Sequence, residues 1–354
     1  MTPYLRDPFG LNRLLYHPGT GAVASSIQQV LHLAGIQSTL PDTEAIQGIF
    51  LNNRLPGRTV VREVCAVPPE HRLEQAADAG ILHPSHAPFL PRHSNLKTSL
   101  CRSLAQAIDS GKRVALALSG GLDSALLLAL LKDMGANHIP AYVLATGMPD
   151  YCERAPAQAL AAQLGFTCHV VSVDSQQFVK ALPETIQHVE EPLFNLHPVA
   201  KLLLADALAQ DGIELVITGD GADQVLRRDQ SANYLPLCQC LFQARQLKLH
   251  PPVLDDAVMA HLLSLPPDPD KLCLRHLARQ LPLPDRLVNT PKHGRLAPPM
   301  DLGSLLDRQR IQQLAAALNM PAPQLELERE RVLWTTLLLA LDHLNALPLS
   351  MRPA

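Results

Sequence analysis

The segment richest in chemistry is Ser119-Gly120-Gly121-Leu122-Asp123-Ser124. Two adjacent glycines let the backbone turn tightly and approach an anion closely. Ser119, Ser124 and the free N–H groups of a following helix supply donors, and the helix dipole favours negative charge at that end. Asp123 would repel an anion, so it is not another phosphate ligand. It makes sense as a ligand for Mg²⁺ bridging phosphate oxygens. The same residues also suit a strand–turn–helix joint with an N-cap acid. The Walker pattern, with a lysine after its last glycine, is absent, so this is a different phosphate loop. A second glycine-rich turn, Thr218-Gly219-Asp220-Gly221-Ala222-Asp223, also follows an apolar run.

Both turns need strands to present them. Residues 113–118 are an apolar strand entering the first turn, and 123–134 are apolar nearly all round, a helix buried against a sheet. Strands follow at 141–145, 168–173 and 215–218, the last running into the second turn. Helices at 155–164 and 198–210 separate them, stopping near Gly165 and Gly212. This alternation predicts an α/β fold: a parallel sheet with right-handed crossovers and helices on both faces. Residues 1–92 are short segments broken by Pro and Gly, with strands at 22–26, 59–64 and 71–74, a helix at 42–51, and a linker at 79–92. Residues 246–354 show no convincing strand, only helices at 255–264, 272–279, 304–318 and 325–344.

Composition sets the outer limits. A chain of 354 residues with 47% hydrophobic and 18% charged residues is globular, with room for two domains. Thirty basic and thirty-three acidic residues give −3, so no basic field points to nucleic acid, and aromatic-poor composition argues against base stacking. Mean hydropathy is +0.05, and the longest apolar runs, 125–131 and 337–341, are too short to span a bilayer. Residues 1–8 lack the apolar core of a signal peptide. Seven scattered cysteines without a CxxC pair speak for reduced thiols in the cytoplasm. Fifteen histidines form no HxxxH-type pair with carboxylates on one face, so structural or surface roles are expected.

The first turn resembles the pyrophosphate loop of ATP pyrophosphatases, which cleave ATP between its α and β phosphates. The second resembles the SGEGADE segment of the asparagine synthetase family's synthetase domain. Glu190-Glu191-Pro192-Leu193 resembles its acidic-Pro segment, His250-Pro251-Pro252-Val253-Leu254-Asp255 its RxPFLD segment, and Asn289-Thr290-Pro291-Lys292-His293-Gly294 its RxPKxG segment. These five stand in the family's order over about residues 94–300. Upstream, residues 7–16 resemble DxxGxxPLYY, 22–33 resemble FASExKAL, and 59–72 resemble TxFxGIxxLPPGH, all from the second half of a glutaminase domain. The resemblance implies an adenine nucleotide α-hydrolase-like fold with two parts. Residues 1–92 would be a truncated Ntn-type glutaminase remnant without its N-terminal cysteine, and residues 93–354 the ATP-binding synthetase domain.

By that resemblance Ser119, Gly120, Gly121, Asp123 and Ser124 bind the triphosphate and later pyrophosphate, and Asp123 and Asp223 hold Mg²⁺. A helix N-cap is the plain alternative for Asp223. Leu118 and Gly219 are further nucleotide-binding positions, and the strand Ala141-Tyr142-Val143-Leu144 lines the adenine pocket with backbone groups, though any buried strand would look similar. Lys292 stabilises charge on the α-phosphate, or is a solvated loop lysine. Asp220 stands where the family has a glutamate that takes a proton from the attacking amine; it is one methylene shorter. Glu191, with Glu190, places substrate or assists proton transfer, or belongs to a solvated acidic pair. After the second turn the family continues LFGGY, where this chain has Val225-Leu226-Arg227-Arg228. Those arginines suit a substrate carboxylate or phosphate, or a helix surface.

The implied function is an ATP-dependent, AMP-forming amide ligase without glutaminase activity, joining a carboxylate to an amine or ammonia in specialised biosynthesis. Its cofactors are ATP and Mg²⁺. A second copy or a partner subunit would cover the cropped N-terminal sheet. Two other classes remain: an ATP pyrophosphatase acting on RNA, and a non-catalytic homologue that binds a partner.

Overall fold

The computed structural model describes residues 4–75, 82–86, 95–146, 151–228, 234–289 and 300–352. Six short strands open the chain: β1 (Tyr4–Leu5), β2 (Leu15–Tyr16), β3 (Val23–Ala24), β4 (Cys65–Ala66), β5 (His71–Gln75) and β6 (Leu82–His86). They form two antiparallel three-stranded sheets, ordered β1-β5-β6 and β3-β2-β4. The expected linker at 79–92 therefore contains a strand. Its Pro84 lies opposite Leu73 on the edge strand β6, where a missing N–H breaks no inner ladder. The strand expected at 59–64 is displaced to β4, while a helix does occupy Thr43–Phe50, capped by the Asp42 side chain.

Five further strands make one wholly parallel sheet: β7 (Val114–Ala117), β8 (Ala141–Ala145), β9 (Cys168–Ser172), β10 (Leu215–Ile217) and β11 (Lys248–His250), ordered β11-β10-β7-β8-β9. Strand β11 corrects the expectation of no strand after residue 246. It is a three-residue edge strand, too short to show a period. The two-residue period sends alternate side chains to opposite faces. Val114, Leu116, Ala141, Val143, Leu215 and Ile217 pack under the helices Leu96–Ile108, Leu122–Asp133 and Arg154–Leu164. Ala115, Tyr142 and Val216 meet the helices His197–Gln210 and Leu235–Gln243 on the other face. Both faces are covered, which is why these strands read as apolar runs without alternation.

The strand order reverses at β7. From β7 the chain moves outward through β8 and β9, then returns to place β10 on the other side of β7. The turns after β7 and β10 therefore open side by side at the carboxyl edge, where open α/β sheets collect ligands. Residues of the N-terminal region, Leu15 to Val64, share a hydrophobic cluster with the C-terminal helices Arg308–Ala317 and Glu328–His343, the buried Trp334 among them. No helix among the described residues is long and apolar enough to cross a membrane.

Candidate functional site at the sheet switch point

The first turn is held in shape by its own hydroxyls. Ser119 N donates to Ser124 Oγ at 3.0 Å, the two hydroxyls lie 2.9 Å apart, and Gly121 N donates to Ser119 Oγ at 3.2 Å. The serines thus build the loop, and the start of the helix Leu122–Asp133 supplies the outward-facing amides. Gly120 approaches Pro156 so closely that an added Cβ would sit 3.3 Å from its ring. Gly219 is tighter still: a Cβ there would lie 2.9 Å from both Asp123 Cβ and Ser124 N. The absence of a side chain at Gly219 is what lets the two turns touch, while Gly120 admits the helix Arg154–Leu164 against the first turn.

That contact brings Asp123 and Asp223 together, each in the first turn of a helix. Lys271 Nζ lies 2.6 Å from Asp123 Oδ2 and 3.0 Å from Asp223 Oδ1. Lys271 was not singled out by its sequence. It is buried, and its backbone is left-handed with φ +57, which orients it at the start of the helix Leu272–Ala278. Asp123 Oδ1 is buried with no hydrogen-bond partner among the described residues. Two converging carboxylates with a spare oxygen fit Mg²⁺, which takes one or two carboxylates and completes its shell from phosphates and water. Among the described residues no group of three or more His, Cys, Asp or Glu could hold a metal, so an all-protein cage is not built here.

A cavity of about 520 Å³ runs along both turns. Leu118, Ser119, Gly120, Gly121, Asp123, Ser124, Gly219, Asp220 and Asp223 all line it. Val143 does not. It is buried under the opposite face, and its neighbour Leu144 reaches the cavity instead, as strand alternation requires. Lys292 and the rest of residues 290–299 lie outside the described residues.

Asp220 is not a free base. Both its oxygens face Lys201 Nζ, at 3.1 and 2.9 Å, and Oδ1 also accepts from the Tyr234 hydroxyl at 3.0 Å. Burial alone would raise this carboxyl. The Lys201 ammonium and the hydrogen bonds from Lys201 and Tyr234 outweigh it and hold Asp220 below the ordinary carboxylate range. The Tyr234 hydroxyl is pushed well up, first by the Asp220 charge and then by burial. Lys201 and Tyr234 both line the cavity and went unrecognised in the sequence. One signal was available: Lys201 is the only charge in the apolar run Val199 to Ala205.

Glu191 lies away from the cavity. Its carboxylate pairs with Arg54 at 2.9 Å. Burial works to raise it, but Arg54, Arg13 and Arg6 together hold it low. Glu190, in a left-handed conformation, turns its carboxylate onto the start of the helix Ile27–Leu33, accepting from Ile27 N at 2.5 Å and Gln28 N at 2.9 Å. The acidic pair thus fastens the sheet domain to the N-terminal region, a use that acid type and position do not distinguish from catalysis. Arg228 donates to the carbonyls of Leu263 (2.9 Å) and Leu265 and so braces a loop. Arg227 sits 3.6 Å from Asp223, and neither arginine lines the cavity.

The architecture is an open parallel α/β sheet with a glycine-rich loop and paired carboxylates at its switch point. The asparagine synthase family model matches residues 95–228. The amidase chyE of Penicillium rubens is 30% identical over 125 residues, covering 31% of this chain and 19% of that protein. The glutamine-hydrolyzing asparagine synthetase of Mus musculus is 26% identical over 218 residues, covering 53% and 39%. Among solved structures, the NH3-dependent NAD synthetase from Campylobacter jejuni matches 38% of this chain and 58% of its own, at 24% identity and a TM-score of 0.30. The chain carries an asparagine synthetase-like synthetase domain. It spans about two-fifths or less of the length of these curated relatives.

Proposed function

We propose that this chain is an ATP-dependent amide ligase that activates a carboxylate as its acyl-adenylate and passes the acyl group to an amine or ammonia. The observation that carries this reading is the convergence of Asp123 and Asp223 on one point, beside a pre-shaped glycine loop, in a cavity at the sheet's carboxyl edge.

The loop amides and helix start hold the phosphates of ATP. Asp123 and Asp223 are the residues suited to hold Mg²⁺, which when bound neutralises charge on the leaving pyrophosphate. A carboxylate oxygen attacks the α-phosphorus and the α–β bond breaks, releasing pyrophosphate. The amine then attacks the acyl carbon and AMP leaves with the bonding electron pair. Asp220, already ionised and saturated by Lys201 and Tyr234, is a weak proton acceptor. Its role in this reading is to fix Lys201 and Tyr234 in the cavity wall, while the proton leaves through solvent or the substrate.

The chain's own N-terminal region offers no activated thiol. Cys65 is the one cysteine among residues 4–75, and burial pushes its thiol up, opposite to what a nucleophile needs. We therefore propose that the amine comes as ammonia, as an amine substrate or from a partner, and not from glutamine hydrolysed here.

The test is ATP–pyrophosphate exchange with Mg²⁺ across a panel of carboxylates and carboxylate–amine pairs, with Asp123→Asn as control. Exchange that depends on one carboxylate and is lost in the variant supports the reading. No exchange with any pair, together with no ATP binding by calorimetry, overturns it in favour of a non-catalytic homologue.

A further inference from the structure

The point between the two site carboxylates is filled by a side chain of the protein. Lys271 Nζ bridges Asp123 Oδ2 and Asp223 Oδ1 at 2.6 and 3.0 Å, with only 6% of the lysine side chain exposed. We infer that Lys271 is the resident counter-ion of the metal site, and that Mg²⁺ enters only in exchange with it, as a complex with nucleotide. This rests on the reading that Asp123 and Asp223 are the magnesium residues.

The argument is one of charge and of oxygen count. Two partly buried carboxylates facing each other favour a cation between them, and the buried ammonium supplies one positive charge at hydrogen-bond distance from both. A bare Mg²⁺ arriving between them would have to expel that ammonium. The expelled group would remain beside a dication, in a cavity whose wall also carries Arg275 and Arg286. The incoming ion would also find only two protein carboxylates, since no group of three or more ligating side chains exists among the described residues. Magnesium parts with water reluctantly and wants six oxygens in octahedral array. Nucleotide removes both penalties together. Its phosphate oxygens complete the metal's shell, and its remaining negative charge takes the displaced ammonium as a new partner.

The backbone supports the same assignment. Lys271 holds φ +57, a region disfavoured for a side chain of this size, at the start of a helix. This left-handed residue is the one whose ammonium lies between the carboxylates. Because coupling is reciprocal, Mg²⁺ must strengthen nucleotide binding by the same factor by which nucleotide strengthens Mg²⁺ binding.

The experiment uses Mn²⁺ as the probe and water-proton relaxation enhancement as the readout, since Mn²⁺ bound to protein relaxes water differently from Mn²⁺ bound to nucleotide alone. In the wild-type chain without nucleotide, Mn²⁺ uptake should be weak and unchanged by Asp123→Asn. With a non-hydrolysable ATP analogue it should tighten by about tenfold or more and become dependent on Asp123. In Lys271→Met, nucleotide-free Mn²⁺ affinity should rise by about tenfold or more, and Lys271→Met/Asp123→Asn should erase the gain.

Tight, Asp123-dependent Mn²⁺ binding by the nucleotide-free wild type overturns the inference, and that arm decides the matter if Lys271→Met does not fold. A folded Lys271→Met that gains nothing also overturns it, while Asp123 dependence with the analogue leaves the magnesium reading standing. If Asp123→Asn changes nothing even with the analogue, the magnesium reading itself has failed.

Discussion

Gly219→Ala isolates the contact on which the site depends. Gly219 lies outside the left-handed region, so alanine fits the backbone, and by chain entropy alone the change should stabilise by about 0.4–1 kcal/mol. Sterics reverse the sign. The new methyl would lie 2.9 Å from Asp123 Cβ, 2.9 Å from Ser124 N and 3.1 Å from Asp123 C. Carbon atoms rest at about 3.5–4.0 Å, so the shortfall is roughly 0.6–1 Å. Two of those three atoms are backbone of the anion loop's helix, which cannot rotate away. The turns must separate, at a cost of about 1–3 kcal/mol typical of overpacking. The strain falls on the residues that would hold nucleotide and metal, so affinity for Mg²⁺ and an ATP analogue should drop about 5–150-fold by calorimetry. Gly19→Ala, whose methyl would meet only the His17 ring, at 3.4 and 3.8 Å, is the control and should leave affinity unchanged and stability no lower. Wild-type affinity and an unchanged melting temperature in Gly219→Ala would refute the claim that the two turns are in close contact.

Asp220→Asn should destabilise by about 3–5 kcal/mol in urea melts, because Lys201 would be left buried without its carboxylate. The folded carboxyl titrates below its unfolded value, so its stabilisation is full above the ordinary carboxylate range and is lost as pH falls through the folded value. The wild type should therefore show a steeper loss of stability than the variant below about pH 4. Glu191→Gln should lower stability by about 1–3 kcal/mol through loss of the Arg54 pair, with the exchange rate per folded molecule unchanged. Arg228→Ala should cost about 1 kcal/mol in thermal melts and leave nucleotide affinity untouched, since its guanidinium serves loop carbonyls.

Much of the sheet is legible in the sequence because both its faces are covered: three of its five strands, β7, β8 and β10, are unbroken apolar runs, and two of these end in glycine turns. The helix Ser175–Val189 is harder to see, as Pro183 interrupts it in mid-course. Strand β11 is invisible for want of length. At the site, the loop and its aspartates are readable because glycine spacing and position after a strand are local properties. Lys271 is not, for it meets Asp123 across 148 residues of chain, and a lysine in a proline-rich stretch looks like any solvated one. The acidic pair at 190–191 shows the converse. Its type and placement suit catalysis, yet Glu190 serves the Ile27–Leu33 helix and Glu191 pairs with Arg54. Which carboxylates face the cavity is decided by chain direction after the helix, a tertiary property.

The central claim is that a substrate carboxylate attacks the α-phosphorus of ATP in this cavity. The most direct test labels both oxygens of the carboxylate identified by exchange with ¹⁸O, supplies ATP, Mg²⁺ and the amine, and reads the AMP by mass spectrometry. The account predicts one ¹⁸O in the phosphate of each AMP formed. AMP without label, or label in inorganic phosphate alongside ADP, would contradict it.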